Sequence, residues 1–220
     1  MSDIFREVDE DVRRAKVEEI WKRYGNLITA VGLALVLAVA AWQVYGQIRL
    51  KQEERASAKF QTAIEAAETG DFAKTQSLLE SVIKKGPDGY RLLARFRAAA
   101  EASRNDPQAA ASMFDGLAEE AKLGPTLQGL ARLRATTLLA DNLSAADLAK
   151  RLEPLTSAVS PWRNLARELL GLANLKYGDF EAAGRYFDQI VTDPDAPLAL
   201  RQRVEVYLGL VRAGPLPPKS

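Results

Sequence analysis

The chain contains no cysteine and no histidine among its 220 residues. The first absence excludes disulfides, thiol nucleophiles and thiolate metal sites. The second removes the commonest general base and the commonest transition-metal ligand. Neither fixes a redox compartment, because a cysteine-free protein survives on either side of a membrane. Aromatics are scarce at 7%, and the abundant Ala and Leu favour packed helices over sheets. Charge of one sign is also lacking: 30 basic against 29 acidic residues leave +1, so no global field steers the chain to nucleic acid. There is no Gly-rich phosphate loop and no Ser-centred elbow. Glu53-Glu54 and Glu119-Glu120 are adjacent, so on a helix they point about 100° apart and cannot share a proton. Asp193-Pro194-Asp195 offers fewer ligands than a cation loop needs and reads as a turn. The expectation is a protein with no catalytic residues, no cofactor, no metal and no small-molecule substrate.

What is present begins with one long apolar run. Residues 27–45 read LITAVGLALVLAVAAWQVY, without a charge. As a helix this run is about 28 Å long, close to the ~30 Å hydrocarbon core of a bilayer. Trp21 and Tyr24 precede it, and Trp42 and Tyr45 close it, as interfacial anchoring requires. Ala38-Val39-Ala40 resembles a signal-peptide cleavage site. Signal peptides have short basic leaders, whereas here 26 residues precede the run and seven are acidic. The run therefore reads as a retained anchor. Arg13, Arg14, Lys16, Lys22 and Arg23 lie before it; Arg49, Lys51, Arg55 and Lys59 follow. Five against four leans towards a cytoplasmic N-terminus. In the leader, Ile4, Val8 and Val12 form an i+4 stripe with charges summing to about zero, which suits a solvated amphipathic helix.

Beyond Gly46 no breaker occurs until Gly70, and from there the chain repeats. Gly70-Asp71-Phe72, Asn105-Asp106-Pro107, Asn142-Leu143-Ser144 and Gly178-Asp179-Phe180 are turn signals spaced by 35, 37 and 36 residues. Each lies between two helical stretches. A period near 34 with two helices per unit is the tetratricopeptide signature. Counted from the turns, Gly171, Ala183 and Phe187 take the small and aromatic positions of the best unit. Ala98, Ala110 and Phe114 match them in the second unit, and Ala63, Thr75 and Leu79 in the first; the third puts Asp147 where a small residue belongs. Pro87, Pro107, Pro125 and Pro161 open helices, Asp106 and Ser160 cap two of them, and Ser144 to Asp147 reads as a capping box. Leu165, Leu169, Leu172 and Ala173 form an inward stripe. A last helix, about Leu198 to Arg212, serves as a terminal cap.

The first helices of such a stack line its concave groove. Counting back from each turn places Phe60, Arg95, Arg132 and Glu168 at one equivalent position. Leu92, Ala99, Gly129 and Thr136 fall on the same face, and Arg91, Arg97, Arg134, Arg163 and Arg167 also lie on first helices. A partly basic groove that grips an acidic or C-terminal segment of a protein through Arg forks is one reading. Ordinary solvated arginines with their stems on the core are the other.

The order of parts resembles the ancillary SecYEG translocon subunit family (YfgM-like proteins). The match runs from Trp21-Lys22-Arg23-Tyr24-Gly25 through the apolar span to Ser57-Ala58, Phe60-Gln61 and Ala63, then Gly89-Tyr90, Arg132-Leu133-Arg134 and Leu169 to Asp179. The resemblance implies an inner-membrane protein with a periplasmic tetratricopeptide domain near SecYEG and membrane-bound chaperones. The expected fold class is all-α, a single transmembrane helix followed by an α-solenoid of about four helix pairs plus a capping helix. The expected parts are a cytoplasmic leader (1–26), the membrane helix (27–45), the repeat domain (46–213) and a disordered tail (214–220). The expected role is a membrane-tethered periplasmic scaffold assisting exported proteins; the alternative is a cytoplasm-facing adaptor recruiting a soluble complex.

Overall fold

The computed structural model describes the backbone of residues 2–214 and the side chains of 21–27 and 29–214. The leader's apolar stripe at Ile4, Val8 and Val12, and the tail beyond Gly214, lie outside those. Among the described residues every regular element is helical. The chain divides into two units, Met1–Ala58 and Lys59–Ser220.

The first unit consists of helix α1, which spans Ser2–Glu68 and ends within the second unit. Within Trp21–Glu68 it is long and apolar enough to cross a membrane. Its apolar residues cover every face of the helix, and none of the most apolar stretch is buried. Leu33, Leu35, Val36 and Leu37 are 61–64% exposed. A helix that is apolar all round requires either a protein core or lipid around it. Trp21 and Tyr24 stand exposed at one end and Trp42 and Tyr45 at the other. The Trp21 ring lies over Gly25, and Arg23 sits 5.7 Å from the Tyr24 ring centroid.

The second unit alternates first and second helices. The end of α1 is followed by α2 (Phe72–Lys85), then α3 (Asp88–Ala102) and α4 (Pro107–Ala118). Next come α5 (Gly124–Leu139) and α6 (Ala145–Leu152), then α7 (Arg163–Lys176) and α8 (Phe180–Val191), and last α9 (Leu198–Ala213). All four second helices start the same way. Asp71, Asp106, Ser144 and Asp179 each accept the amide N–H three residues on, at 2.8–3.1 Å. Each bond satisfies one of the donors that a helix start leaves orphaned. Ser144 also donates to Asp147 Oδ2 at 2.6 Å, closing a variant of the expected capping box. Gly70 and Gly178 hold φ of 79° and 81°. There Asp71 N–H reaches Ala66 O and Asp179 N–H reaches Asn174 O, both at 2.9 Å, as in a Schellman turn.

The caps also repair the register of the third unit. They stand at 71, 106, 144 and 179, so the second spacing is 38 residues rather than 35. Counted from the caps, Thr75, Ala110, Leu148 and Ala183 are equivalent, as are Leu79, Phe114, Leu152 and Phe187, and all eight are buried. Asp147 therefore does not occupy the small-residue position; the turn before Ser144 is longer, and Leu148 takes that place. Two further expectations shift. Ser160 and Pro161 do not cap and open a helix: α7 begins at Arg163, and Ser160 Oγ accepts the N–H of Trp162 at 3.2 Å. Pro154 ends α6 after eight residues in a one-turn 3-10 helix, Glu153–Leu155.

Four apolar clusters run along this unit, each joining one second helix to the first helices on either side. Ala63, Leu79, Val82 and Ala94 make the first, and Ala99, Phe114, Leu117 and Ala131 belong to the second. Leu133, Leu148, Leu152 and Leu170 build the third, and Phe187, Ile190, Val204 and Leu208 the fourth. Each unit is thus buried only by its neighbours, which is the physical definition of a repeat stack.

Candidate protein-interaction groove

The first helices carry apolar residues on two faces, and only one face is consumed by packing. In α7 the buried residues are Asn164, Ala166, Leu170, Gly171 and Ala173. The expected inward stripe is therefore corrected: Leu165 is 41% exposed and Leu169 and Leu172 are half-buried, leaving only Ala173 of the four in the core. Those three leucines instead line an open cleft of about 450 Å³ between α5 and α7, with Leu130, Leu133 and Trp162. Trp162 is fixed in place because its indole N–H donates to Thr126 O at 2.8 Å. The ring also lies over Gly129, where any Cβ would meet it at 2.8 Å. Arg134 and Glu168 supply charge at the rim.

The equivalent position at 60, 95, 132 and 168 is only partly available. Phe60 packs edge-on against Tyr90 with centroids 6.4 Å apart. Arg95 Nη1 donates to Glu120 at 2.6 Å. Glu168 is clamped by Arg203 through two bonds of 2.6 and 3.0 Å, and that pair raises the Arg203 pKa. Arg132, half-buried, has no ion-pair partner among the described residues. Arg91 pairs locally with Asp88.

The companion face is corrected outright. Thr136, expected in the groove, is fully buried, and so are Ala99 and Gly129. Thr136 donates to Arg132 O at 2.8 Å and accepts from Arg151 Nε at 3.0 Å, while Arg151 also pairs with Asp115. This face meets the second helices, so it cannot present side chains to a partner.

Most first-helix arginines are likewise committed within the chain. Arg97 pairs with Glu101 at 2.7 Å. Arg163 forks onto Asp193 at 2.6 and 2.9 Å and reaches Asp195 at 2.7 Å. Arg167 adds a bond to Asp193 at 3.2 Å and another to Thr156 O at 3.2 Å. The Asp193-Pro194-Asp195 turn is thus a guanidinium clasp between α7 and the α8–α9 connection. The Arg163 fork holds the Asp193 carboxyl far below the usual carboxylate range, against the desolvation that would raise it. A carboxylate with a depressed folded-state pKa contributes stability above its unfolded value of about 4 and loses it as pH falls further. Asp193→Asn therefore lowers the melting temperature by a constant amount above about pH 5. The gap closes below about pH 4 as the unmodified chain loses the same contribution. Thermal melts from pH 2 to 8 read it; a gap independent of pH contradicts the assignment.

What remains for a ligand is an apolar cleft edged by one uncommitted guanidinium group, Arg134; Arg132 lies on the other side of α5 and does not border it. Neither the leucines nor Trp162 had been singled out as groove residues from sequence. Their signal was there as a second apolar stripe at 165, 169 and 172, displaced by one residue from the stripe that is buried. Among the described residues no cluster of His, Cys, Asp or Glu has the make-up of a metal site. The family model of the tetratricopeptide repeat-like domain matches residues 18–208. No curated protein and no solved structure matches the chain.

Proposed function

Because the chain belongs to the tetratricopeptide repeat-like domain family, we propose that it is a membrane-tethered scaffold that docks protein partners between α5 and α7. The observation that carries this reading is the cleft itself: exposed and half-buried leucines beside the unpaired Arg134 guanidinium, on a face of α7 that no second helix covers among the described residues. The partner it suits is a protein segment with apolar side chains and at least one carboxylate, the carboxylate facing Arg134. The one carboxylate of the cleft lining, Glu168, is held by Arg203, and binding rather than turnover is the proposed activity. Tethering by α1 raises the effective concentration of partners that share the membrane.

The finer reading follows the resemblance in sequence: the inner membrane of a bacterium, N-terminus in the cytoplasm, repeat domain in the periplasm, partners at the Sec translocon. What supports the orientation is the five-to-four bias of basic residues around the span. A cysteine-free chain makes the test simple. Ser112→Cys places one thiol on exposed α4, and a membrane-impermeant reagent labels it in intact spheroplasts if the domain is periplasmic. Labelling only after lysis would instead place the domain in the cytoplasm.

Docking is tested by a photoreactive residue at Leu165, with one at Gln108 on α4 as control. Covalent adducts with other proteins at Leu165 alone are expected, and equal adducts at both positions refute the groove. Anchoring is tested separately. Val36→Arg puts a charge at the middle of the apolar run and costs about 2.5–3.5 kcal/mol of insertion. The expected result is a shift of protein from the alkali-resistant membrane fraction to the soluble one; unchanged fractionation contradicts a spanning α1.

A further inference from the structure

The last helix, α9, presents a bare face. Ala199, Gln202, Val206, Gly209, Leu210 and Ala213 fall on one side of it at helical spacing, and all six are exposed. Val206 is 65% and Leu210 53% exposed. Thirty-five residues earlier, in α7, the positions equivalent to Val206 and Leu210 are Gly171 and Leu175, which pack against α8 and its Phe187. The bare side of α9 is therefore the side that docks a helix in the preceding unit, and among the described residues nothing covers it.

Its charges say what would. Glu205 and Arg212 flank the stripe on the same edge, seven residues apart, both exposed and without ion-pair partners among the described residues. We infer that this face pairs antiparallel with α9 of a second copy about a two-fold axis near Gly209. Val206 then meets Leu210 of the second copy, and Glu205 meets Arg212, each contact occurring twice by symmetry. Parallel pairing about a two-fold axis would carry this edge to opposite sides of the seam, so Glu205 and Arg212 would not meet. The order of charges is thus self-complementary in one direction only, which selects a second copy over an unrelated helix. At the axis a Cβ on Gly209 would meet nothing within 4 Å, so two backbones can approach closely there. This surface is separate from the α5–α7 cleft, and neither proposal depends on the other.

The test uses the full chain in its membrane, where the absence of native cysteine gives a clean background. Gly209→Cys is oxidised and run without reductant, beside Gln108→Cys as a control. A disulfide-linked species of twice the chain's mass, found for Gly209→Cys alone, is expected. Adding Glu205→Arg sets like charges together and cuts the linked fraction at least about tenfold. Adding Arg212→Glu to that variant restores it. All these positions are exposed, and circular dichroism verifies that the helices persist. The proposal is overturned if Gly209→Cys links no better than the control, or if its adduct has the mass of a different polypeptide. It is also overturned if Glu205→Arg has no effect, or if the reversed pair fails to restore linkage.

Discussion

Replacing Phe187 by alanine lowers the unfolding free energy of the repeat unit by about 3–5 kcal/mol, the largest effect expected of any single truncation here. The ring is fully buried in the fourth apolar cluster, with its centroid 5.4 Å from that of Tyr207. Its edge fits the space left by Gly171, where any Cβ would meet ring carbons at 2.8 Å or closer. Truncation leaves a cavity between α7, α8 and α9 that packed helices refill only in part. Because each unit is buried solely by its neighbours, the damage should begin at α9 rather than spread evenly. Urea unfolding of the chain in detergent, followed by circular dichroism, measures the loss. A change below about 1 kcal/mol would mean that the ring is not the wedge described. Gly171→Leu attacks the same joint by overpacking and should cost about 1–3 kcal/mol.

The second large effect concerns binding and leaves the fold intact. Leu165→Asp and Arg134→Glu alter two exposed positions on neighbouring first helices. The first puts a charge into the apolar cleft, and the second reverses the charge that an acidic segment would meet. Together they should weaken partner capture by more than about a hundredfold, roughly 3 kcal/mol, with helical content and melting temperature unchanged. Retained capture removes the cleft from consideration; lost capture with a lowered melting temperature would point to the fold instead.

Much of this architecture was legible before any coordinates. The turn signals near 70, 105, 142 and 178 mark the real joints, since Gly and Asp there have local work to do: glycine takes positive φ and aspartate caps. The third joint was misread because its turn is longer, and only the cap at Ser144 shows which residue starts the count. Within α7 two apolar stripes lie one residue apart, and periodicity alone does not say which one meets a neighbour. That choice depends on where α8 crosses, so the sequence pattern alone assigns the groove leucines to the core. The arginines were hardest. Arg95 reaches Glu120, Arg163 reaches Asp193 and Glu168 holds Arg203, partners 25, 30 and 35 residues away that only stacking brings together. Arg132 and Arg134 are left over, and of the two only Arg134 borders the cleft.

The most direct test of the central claim is amide hydrogen exchange of the whole chain in detergent, with and without the protein captured through Leu165. Slowed exchange confined to α5, α7 and the turn at Trp162, with α4, α6 and α8 unchanged, is the result this account predicts. Protection on the second helices, or no protection anywhere in the repeat unit, would contradict it.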